Sequence, residues 1–361
     1  MKNICILRLS ALGDCCHALS IVQTLQRHLP DSNISWVINK NEYQLFKDIP
    51  GVDFIVVDKE NLVKSFSEIF LDKRKKVFDV LLNLHASASA NFISLAIRAQ
   101  RKIGYDKARA RDKQNWFCDE YIQPVSNQHV ADAMVGFLLH LNIKEVRPSW
   151  SPLQLRSEEE KVKKYVSPNE RTCLISPCSS QRYGDKYNRS WPVEKYIEII
   201  RYLSEERGFR VIVSGGRSPI EASYSEQIDN ADFENNVCNL IGRTSIREMA
   251  ALVKLSDLVI SPDSGPAHVS TVMGTPVIGL YAMSNPKRSG PYNSKNLLVN
   301  KYPETLARYY KVSPEKVKWG KKVKNPRAMD MIEVADVCEK IEQFLADKVG
   351  SGKSIDILSL I

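Results

Sequence analysis

Short apolar runs alternate with helical patterns twice along the chain, and this alternation most constrains the fold. Helical apolar spacing is clearest over residues 15–29, 193–207 and 246–255. Strand-like runs rich in Ile, Val and Leu are predicted at 3–9, 34–38, 54–57, 77–84, 172–176, 210–214, 237–241, 258–261 and 276–281. Alternation of this kind is typical of parallel sheets covered by helices. We therefore predict an α/β protein with two doubly wound parallel sheets.

The alternation breaks once, at residues 147–152, where the sequence reads RPSWSP. A chain of 361 residues is long for one hydrophobic core and suits two domains of ordinary size. A basic, aromatic insert at 302–327 has a role that the sequence leaves open. We predict an N-terminal domain at 1–150, a linker at 151–170, a C-terminal domain at 171–330, a docked C-terminal helix at 331–349 and a flexible tail at 350–361.

Composition limits the classes of protein to which this chain can belong. The 43% hydrophobic and 26% charged residues are typical of a soluble globular protein, and neither a membrane-spanning run nor a signal-peptide pattern is found. The eight cysteines include no C-x-x-C pair, and the six histidines lack metal-ligand spacing. We predict a cytoplasmic protein with mostly buried thiols, no metal site and no cofactor.

The net charge of +9 is concentrated in two basic clusters. Such clusters are either solvated faces or sites for an acidic partner, which includes nucleic acid, an anionic membrane surface and a phosphorylated substrate. No recognised nucleic-acid module accompanies them, so we predict no nucleic-acid partner. The clusters are Arg98, Arg101, Lys102, Lys107, Arg109, Arg111 and Lys113, and Lys311, Lys316, Lys318, Lys321, Lys322, Lys324 and Arg327.

Residues 261–281, SPDSGPAHVSTVMGTPVIGLY, predict a strand, a tight turn, a short helix and a second strand. Asp263 or Ser264 can cap the helix, Pro266 suits its first turn, and Gly265 lets backbone approach a ligand closely. A helix N-terminus at the carboxyl edge of a parallel sheet favours phosphate-bearing ligands. The alternative is an ordinary capped turn.

Other phosphate and nucleophile motifs are missing. Residues 350–354, GSGKS, match the end of a P-loop, but Asp347 stands where the spacing requires glycine. No G-x-G-x-x-G follows a strand, and no nucleophile elbow is present. The Gly215-Gly216 turn is either ligand-facing or a simple helix entry.

Four spaced motifs together resemble one family. They are SALGD at 10–14, SPCSS at 176–180 followed by RSWP at 189–192, SPDSGPAH at 261–268 and GTPVIGLY at 274–281. The set resembles the lipopolysaccharide heptosyltransferases of glycosyltransferase family 9, most closely the type that adds the first heptose. This resemblance implies the GT-B fold, in which two facing Rossmann-like domains enclose an interdomain cleft.

The resemblance also implies an activity. It implies inverting, metal-independent transfer of heptose from ADP-L-glycero-D-manno-heptose to a Kdo residue of Kdo-lipid A, with peripheral contact at the cytoplasmic face of the inner membrane. Three alternatives stay open: a later-acting heptosyltransferase, another GT-B glycosyltransferase and a sugar-nucleotide epimerase.

Inverting transfer needs a carboxylate that accepts the proton of the acceptor hydroxyl. Asp14 matches the family's proposed base, and an N-cap for a helix from residue 15 is the alternative. The leaving diphosphate needs aimed donors, because no D-x-D motif suggests a metal. Arg189 corresponds to the family's phosphate-binding residue, and Lys186 and Arg182 are close enough in sequence to share that role.

The remaining donor and acceptor assignments also follow from the resemblance or from position. For Glu221 an exposed helix residue is the alternative to a ribose ligand. Pro266 lacks an N–H and can donate nothing. The donor-side residues are Ser179 and Ser180 as hydroxyl donors, Asp263 at the heptose hydroxyls, His268 near the diphosphate, Glu221 at the ribose, Thr244 at the adenine, and the turn of Ser264, Gly265 and Pro266. The acceptor-side residues are His17, Arg98, Arg101, Lys102, Arg109 and Arg111.

Overall fold

The computed structural model describes residues 1–73, 76–179, 188–233 and 236–351. Ser180, Arg182, Lys186 and the predicted tail from residue 352 onward lie outside the described residues.

The first half of the chain forms a six-stranded parallel sheet with the strand order β3-β2-β1-β4-β5-β6. Its strands are β1 (Asn3–Leu7), β2 (Asn33–Asn39), β3 (Val52–Val57), β4 (Phe78–Asn83), β5 (Ala99–Gly104) and β6 (Glu120–Tyr121). Its helices are α1 (Leu12–His28), α2 (Lys40–Phe46), α3 (Leu62–Lys73), α4 (Ala88–Leu95) and α5 (Val130–His140). β5, which reads AQRKIG, was not predicted, because it lacks an apolar run.

The second half forms a second parallel sheet in the order β12-β11-β10-β7-β8-β9. Its strands are β7 (Thr172–Ile175), β8 (Arg210–Val213), β9 (Val237–Asn239), β10 (Leu258–Pro262), β11 (Val277–Tyr281) and β12 (Leu298–Asn300). Its helices are α6 (Arg156–Val162), α7 (Val193–Arg201, extended by a π-helical turn, Tyr202–Glu206), α8 (Pro219–Asp229), α9 (Ile246–Leu255), α10 (Gly265–Met273), α11 (Pro286–Ser289), α12 (Tyr302–Tyr310) and α13 (Val334–Ser351).

Both sheets have the same topology. In each, the first and fourth strands are central neighbours, β1 with β4 and β7 with β10. In each sheet the strand order reverses between these two central strands. Open α/β sheets bind ligands at such a switch point, beyond the carboxyl ends of the strands. The predicted α/β architecture with two doubly wound parallel sheets is confirmed.

Apolar packing joins the two halves. Buried side chains of α1 and of α10, including Ile21, Leu25 and Val269, belong to one continuous hydrophobic core. The buried Arg247 of α9 adds polar links, because it pairs with Asp48 of the first half at 2.9 Å and with Glu158 of α6 at 2.7 Å. These contacts bring the carboxyl edges of the two sheets together.

The C-terminal helix packs on the second half, as its apolar spacing predicted. Val337, Ile341 and Phe344 of α13 are buried in the second core. The helix ends at Ser351, two residues later than predicted. All eight cysteines are free thiols and six of them are buried, which confirms that prediction.

Candidate active site between the two sheets

Two strand-to-helix turns meet between the sheets. α1 follows β1 and α10 follows β10, and the first turns of the two helices touch. A Cβ atom added at Gly13 would lie 2.3 Å from Cδ2 of His268, and one added at Gly265 would lie 2.6 Å from Cδ2 of Leu12. Both glycines are therefore needed for the close approach of the two helix N-termini.

Asp14 lies in the first turn of α1 rather than before the helix. The helix begins at Leu12 with Ala11 at the N-cap, so the alternative that Asp14 caps a helix from residue 15 is wrong. The carboxylate pairs with the Arg8 guanidinium, which also donates to the carbonyl of Leu84 at 2.5 Å. The Asp14 side chain stays 30% exposed, so a substrate can still reach it.

The charge state of Asp14 follows from its neighbours. Burial is the largest single effect on its pKa and raises it, but the charges of Arg8, His17, His85 and His268 together outweigh burial and hold the pKa well below its usual range. Burial also lowers the pKa values of His17 and His268 themselves. At neutral pH these histidines are neutral and Asp14 is an ionised, weak base.

Three histidine rings lie buried together, and two of them, those of His17 and His268, act on the Asp14 carboxylate. The ring of His17 is 4.9 Å from that of His268 and 5.3 Å from that of His129. His129 Nε2 lies 2.9 Å from the carbonyl of Gly290, which links the two halves, and burial lowers its pKa to about 4. The Nδ1 atoms of His17 and His268 have no hydrogen-bond partner among the described residues. His17 is therefore part of the interface between the halves.

On the second sheet, Arg189 and Asp263 form a matching pair. Arg189 Nε donates to the Asp263 carbonyl at 3.0 Å and lies 3.5 Å from its carboxylate. The Ser284 hydroxyl also donates to that carboxylate, at 2.6 Å. The Ser179 hydroxyl accepts from the Arg189 backbone N–H at 2.9 Å, so it shapes the loop that carries the arginine.

The N-terminus of α10 has no side-chain cap. Ser264 occupies the N-cap position, but its hydroxyl lies 2.8 Å from that of Ser261 and caps no backbone group. Pro266 stands in the first turn, as predicted. The positive end of this helix is therefore directed into the space between the sheets.

Glu221 and Thr244 lie farther along the same sheet edge. The Glu221 carboxylate accepts from the backbone N–H groups of Gly216 at 2.5 Å and Ser218 at 2.9 Å, which makes it part of a capping box at α8. A cavity of about 460 Å³ beside it is lined by Gly216, Arg217, Ile241 and Gly242, among others. Thr244 lines a second cavity, of about 400 Å³, together with Lys161, Lys164 and Arg243.

The predicted basic acceptor cluster is spread over several places. Arg98 immediately precedes β5, at the amino end of that strand. Arg101 pairs with Glu120 through two hydrogen bonds of 2.6 and 2.7 Å, and Lys102 donates to the carbonyl of Ser94. Arg109 pairs with Asp106 and donates to Gln128 at 2.8 Å. Arg111 is exposed and lies beside Gly320 of the basic insert.

Sequence reasoning missed Arg288. This residue lies in α11, just beyond the carboxyl end of β11, and reaches the same Gly320 as Arg111. Burial lowers the pKa of Arg288, and the negative charges of Asp14 and Asp263 both act to raise it. The available signal was the dipeptide Lys287-Arg288, which comes a few residues after the predicted strand at 276–281.

Within the ranges that the structure describes, no three His, Cys, Asp or Glu side chains are grouped so that they could hold a metal ion. No helix in the described part of the chain has both the length and the apolar character needed to cross a bilayer.

Comparisons with known proteins identify the family. A family model described as glycosyltransferase family 9 (heptosyltransferase) matches residues 72–317. The chain is 33% identical over 342 residues to the lipopolysaccharide core heptosyltransferase OpsX of Haemophilus influenzae, an alignment that covers 95% of this chain and 96% of that protein.

Solved structures agree on the fold. A family 9 glycosyl transferase from Veillonella parvula has a TM-score of 0.74 and 21% identity, covering 96% of this chain and 97% of that one. The E. coli heptosyltransferase WaaC with ADP has a TM-score of 0.70 and 17% identity, covering 95% and 100% of the two chains. The fold is the GT-B fold. From the family match and the 33% identity together, the chain is a glycosyltransferase that belongs to glycosyltransferase family 9, the heptosyltransferases.

Proposed function

We propose that the protein transfers L-glycero-D-manno-heptose from the ADP-activated sugar to a Kdo residue of Kdo-lipid A, with inversion at the anomeric carbon and without a metal. The observation that carries the proposal is the meeting of the two turns. An ionised, partly exposed Asp14 on one helix N-terminus faces the uncapped N-terminus of α10 with its Arg189–Asp263 pair. A base and an anion-binding edge thus stand on opposite sides of one cleft.

In the proposed step, an acceptor hydroxyl attacks the anomeric carbon while the bond from that carbon to the diphosphate oxygen breaks. Asp14 takes the hydroxyl proton and ADP leaves with the bonding electrons. Because the charged groups around Asp14 lower its pKa and make it a weak base, we place proton transfer late, when the attacking oxygen has bonded to carbon and its proton has become strongly acidic. The Arg8 contact also orients the carboxylate.

The donor would occupy the edge of the second sheet. Arg189 uses Nε for Asp263, and its terminal nitrogens make no hydrogen bond to the described residues, which leaves them available for the diphosphate. The α10 N-terminus adds backbone dipoles at the same charge. We assign the adenosine to the side of the edge that carries Glu221, Thr244 and their cavities.

The donor identity is supported by relatives. The E. coli enzyme WaaC has been solved with ADP and with ADP-2-deoxy-2-fluoro heptose, and both structures share the fold of this chain. Membership of family 9 favours glycosyl transfer over the epimerase alternative. The named relatives include core, type 1, type 2 and type 3 heptosyltransferases, so the first-heptose assignment rests on the motif resemblance.

We assign the enzyme to the cytoplasmic face of the inner membrane, in peripheral contact with its lipid-linked acceptor. The net charge of +9 supports this assignment, because basic side chains are attracted to anionic headgroups.

The proposal is tested by incubating the protein with ADP-heptose and Kdo-lipid A in the presence of a chelator, while ADP release and product mass are followed together. A product one heptose heavier supports the proposed donor, the proposed acceptor and transfer without a metal. Lipid A without Kdo, and Kdo-lipid A that already carries one heptose, are the matched controls. Transfer to the heptosylated acceptor alone would identify a later-acting enzyme, and ADP release with no acceptor gain would contradict the proposed acceptor.

A further inference from the structure

Arg111 and Arg288 come from opposite halves of the molecule and converge on one glycine. Measured from the position that a Cβ atom of Gly320 would take, Arg288 Nε is 3.4 Å away and a terminal nitrogen of Arg111 is 3.5 Å away. The two nitrogens are therefore at most about 7 Å apart, a separation at which like charges repel. A side chain at position 320 would stand between them.

Neither guanidinium is neutralised within the described part of the chain. The two side chains make no hydrogen bond or ion pair there, whereas Arg101, Arg109 and Arg247 all pair with carboxylates. Burial lowers the pKa of Arg288, and the charge of Arg111 lowers it further, while Asp14 acts in the opposite direction. Two converging, unpaired arginines form a site that an anion would stabilise.

The basic insert, residues 302–327, is hydrogen-bonded to both halves of the molecule on either side of Gly320. Trp319 Nε1 donates to the carbonyl of Gln128 in the first half at 2.8 Å. On the other side of Gly320, the Lys321 carbonyl accepts from the Tyr302 hydroxyl at 2.8 Å, and the Val323 N–H donates to the carbonyl of Met283 at 2.9 Å. The segment is thus anchored to both halves, with Gly320 at the crossing.

We propose that Arg111 and Arg288 form a seat for an anionic group of the acceptor, a carboxylate or a phosphate, and that the 302–327 insert is an acceptor-specificity element. This inference rests on the proposed function. A guanidinium group binds a carboxylate or a phosphate through paired hydrogen bonds. Two guanidinium groups can bind one anion from opposite sides.

We assign the seat to the acceptor and not to the donor because of where Arg111 and Arg288 lie. Arg111 belongs to the first half, and the charge that acts most strongly on Arg288 is that of Asp14, ahead of that of Asp263. A hydroxyl that delivers its proton to Asp14 belongs to the acceptor, so an anion held beside Asp14 lies on the same molecule. The donor diphosphate already has Arg189 and the α10 N-terminus.

The test is direct titration of the full chain with Kdo-lipid A, which does not depend on turnover. Arg288→Gln is expected to weaken binding by about ten- to a hundredfold, because a charged hydrogen-bonding contact is lost. The matched control is Lys287→Gln, which removes the same charge from the exposed neighbour and should leave affinity within about twofold. ADP affinity should be unchanged in both variants.

Two acceptor analogues separate the possible anions. If the sugar carboxylate is the ligand, wild-type affinity falls when that carboxylate is converted to an amide, and the fall is absent in Arg288→Gln. If a lipid phosphate is the ligand, dephosphorylated lipid A produces the same pattern instead. Equal sensitivity of wild type and variant to both changes would overturn the proposal.

Two further variants, at Gly320, test whether the seat depends on charge. Gly320→Glu would place a carboxylate between the two arginines and weaken acceptor binding, whereas Gly320→Gln fills the same space without charge and should weaken it less. Equal effects of the two variants would contradict a charge-based seat. Wild-type binding of Kdo-lipid A without turnover would count against the proposed reaction, while unchanged binding by Arg288→Gln would count against the seat.

Discussion

The two turns that meet in the cleft each carry an arginine–aspartate pair, but they use it differently. In the first turn, Arg8 and Asp14 are close in sequence, and the carboxylate is 30% exposed with Arg8 as its partner. In the second, Arg189 comes from a separate loop, and the Asp263 carboxylate is 16% exposed and also accepts from Ser284.

We propose that this difference separates a catalytic role from a binding role. A carboxylate with one ionic partner and an open face can receive a proton from a substrate. A carboxylate that is held by an arginine and a hydroxyl serves better to fix a loop and to present polar groups to a sugar. The same local fold thus supports two roles, which are distinguished by what the rest of the chain brings to each turn.

The sharpest test of this contrast is Asp14→Asn. We expect turnover to fall by about a hundred- to ten-thousandfold, because the base is lost, while ADP-heptose affinity stays near normal. Steady-state kinetics and direct donor titration would measure the two effects. Asp263→Asn is the matched variant, and it should weaken donor binding more than Asp14→Asn does. Near-normal turnover of Asp14→Asn would exclude Asp14 as the base.

Arg189→Ala probes the other turn. We expect ADP affinity, measured by calorimetric titration, to fall by about ten- to a hundredfold, because the diphosphate loses a charged partner. Arg308→Ala, which removes an exposed arginine of α12, is the control. Unchanged ADP affinity in Arg189→Ala would move the phosphate role to Lys186 or Arg182.

Gly265→Ala tests the close approach of the two turns. The added methyl would meet Leu12 at 2.6 Å, so we expect the free energy of unfolding to fall by about 1–3 kcal/mol. Denaturant unfolding would measure the change. Leu12→Ala removes the opposing Cδ2 atom, so the double variant should lose less than the sum of the two single losses. Strict additivity would show that the helices do not depend on this contact.

The buried histidines predict a smaller effect of pH on stability. Because burial lowers the pKa values of His17, His129 and His268, the unfolded chain binds more protons than the folded chain below about pH 6.5. Stability should therefore fall as pH falls, and His129, whose pKa is about 4, should contribute about 0.7 kcal/mol of this loss between pH 7 and pH 6. Denaturant unfolding at both pH values measures this slope.

His129→Gln should reduce that slope. A wild-type stability that does not change between pH 7 and pH 6 would contradict neutral burial of the three rings.

Local patterns predicted most of the regular structure. The bounds of α9 agree with the prediction of 246–255, because an amphipathic stripe follows a Ser245–Glu248 capping box. The strand β5 was missed because its polar residues Arg101 and Lys102 read as part of a surface charge cluster. Their partners, Glu120 and Ser94, are contributed by the tertiary structure.

The sequence by itself determined the two parallel sheets, the turns that follow β1 and β10, and the motif residues on those turns. These features depend on short-range periodicity and on glycine and proline chemistry, which act within a few residues. The tertiary structure decided which charges are paired, which histidines are buried, and that Arg111 meets Arg288 at Gly320. Pairing and burial are set by segments far apart in the chain, and their local sequences do not reveal which of them will meet.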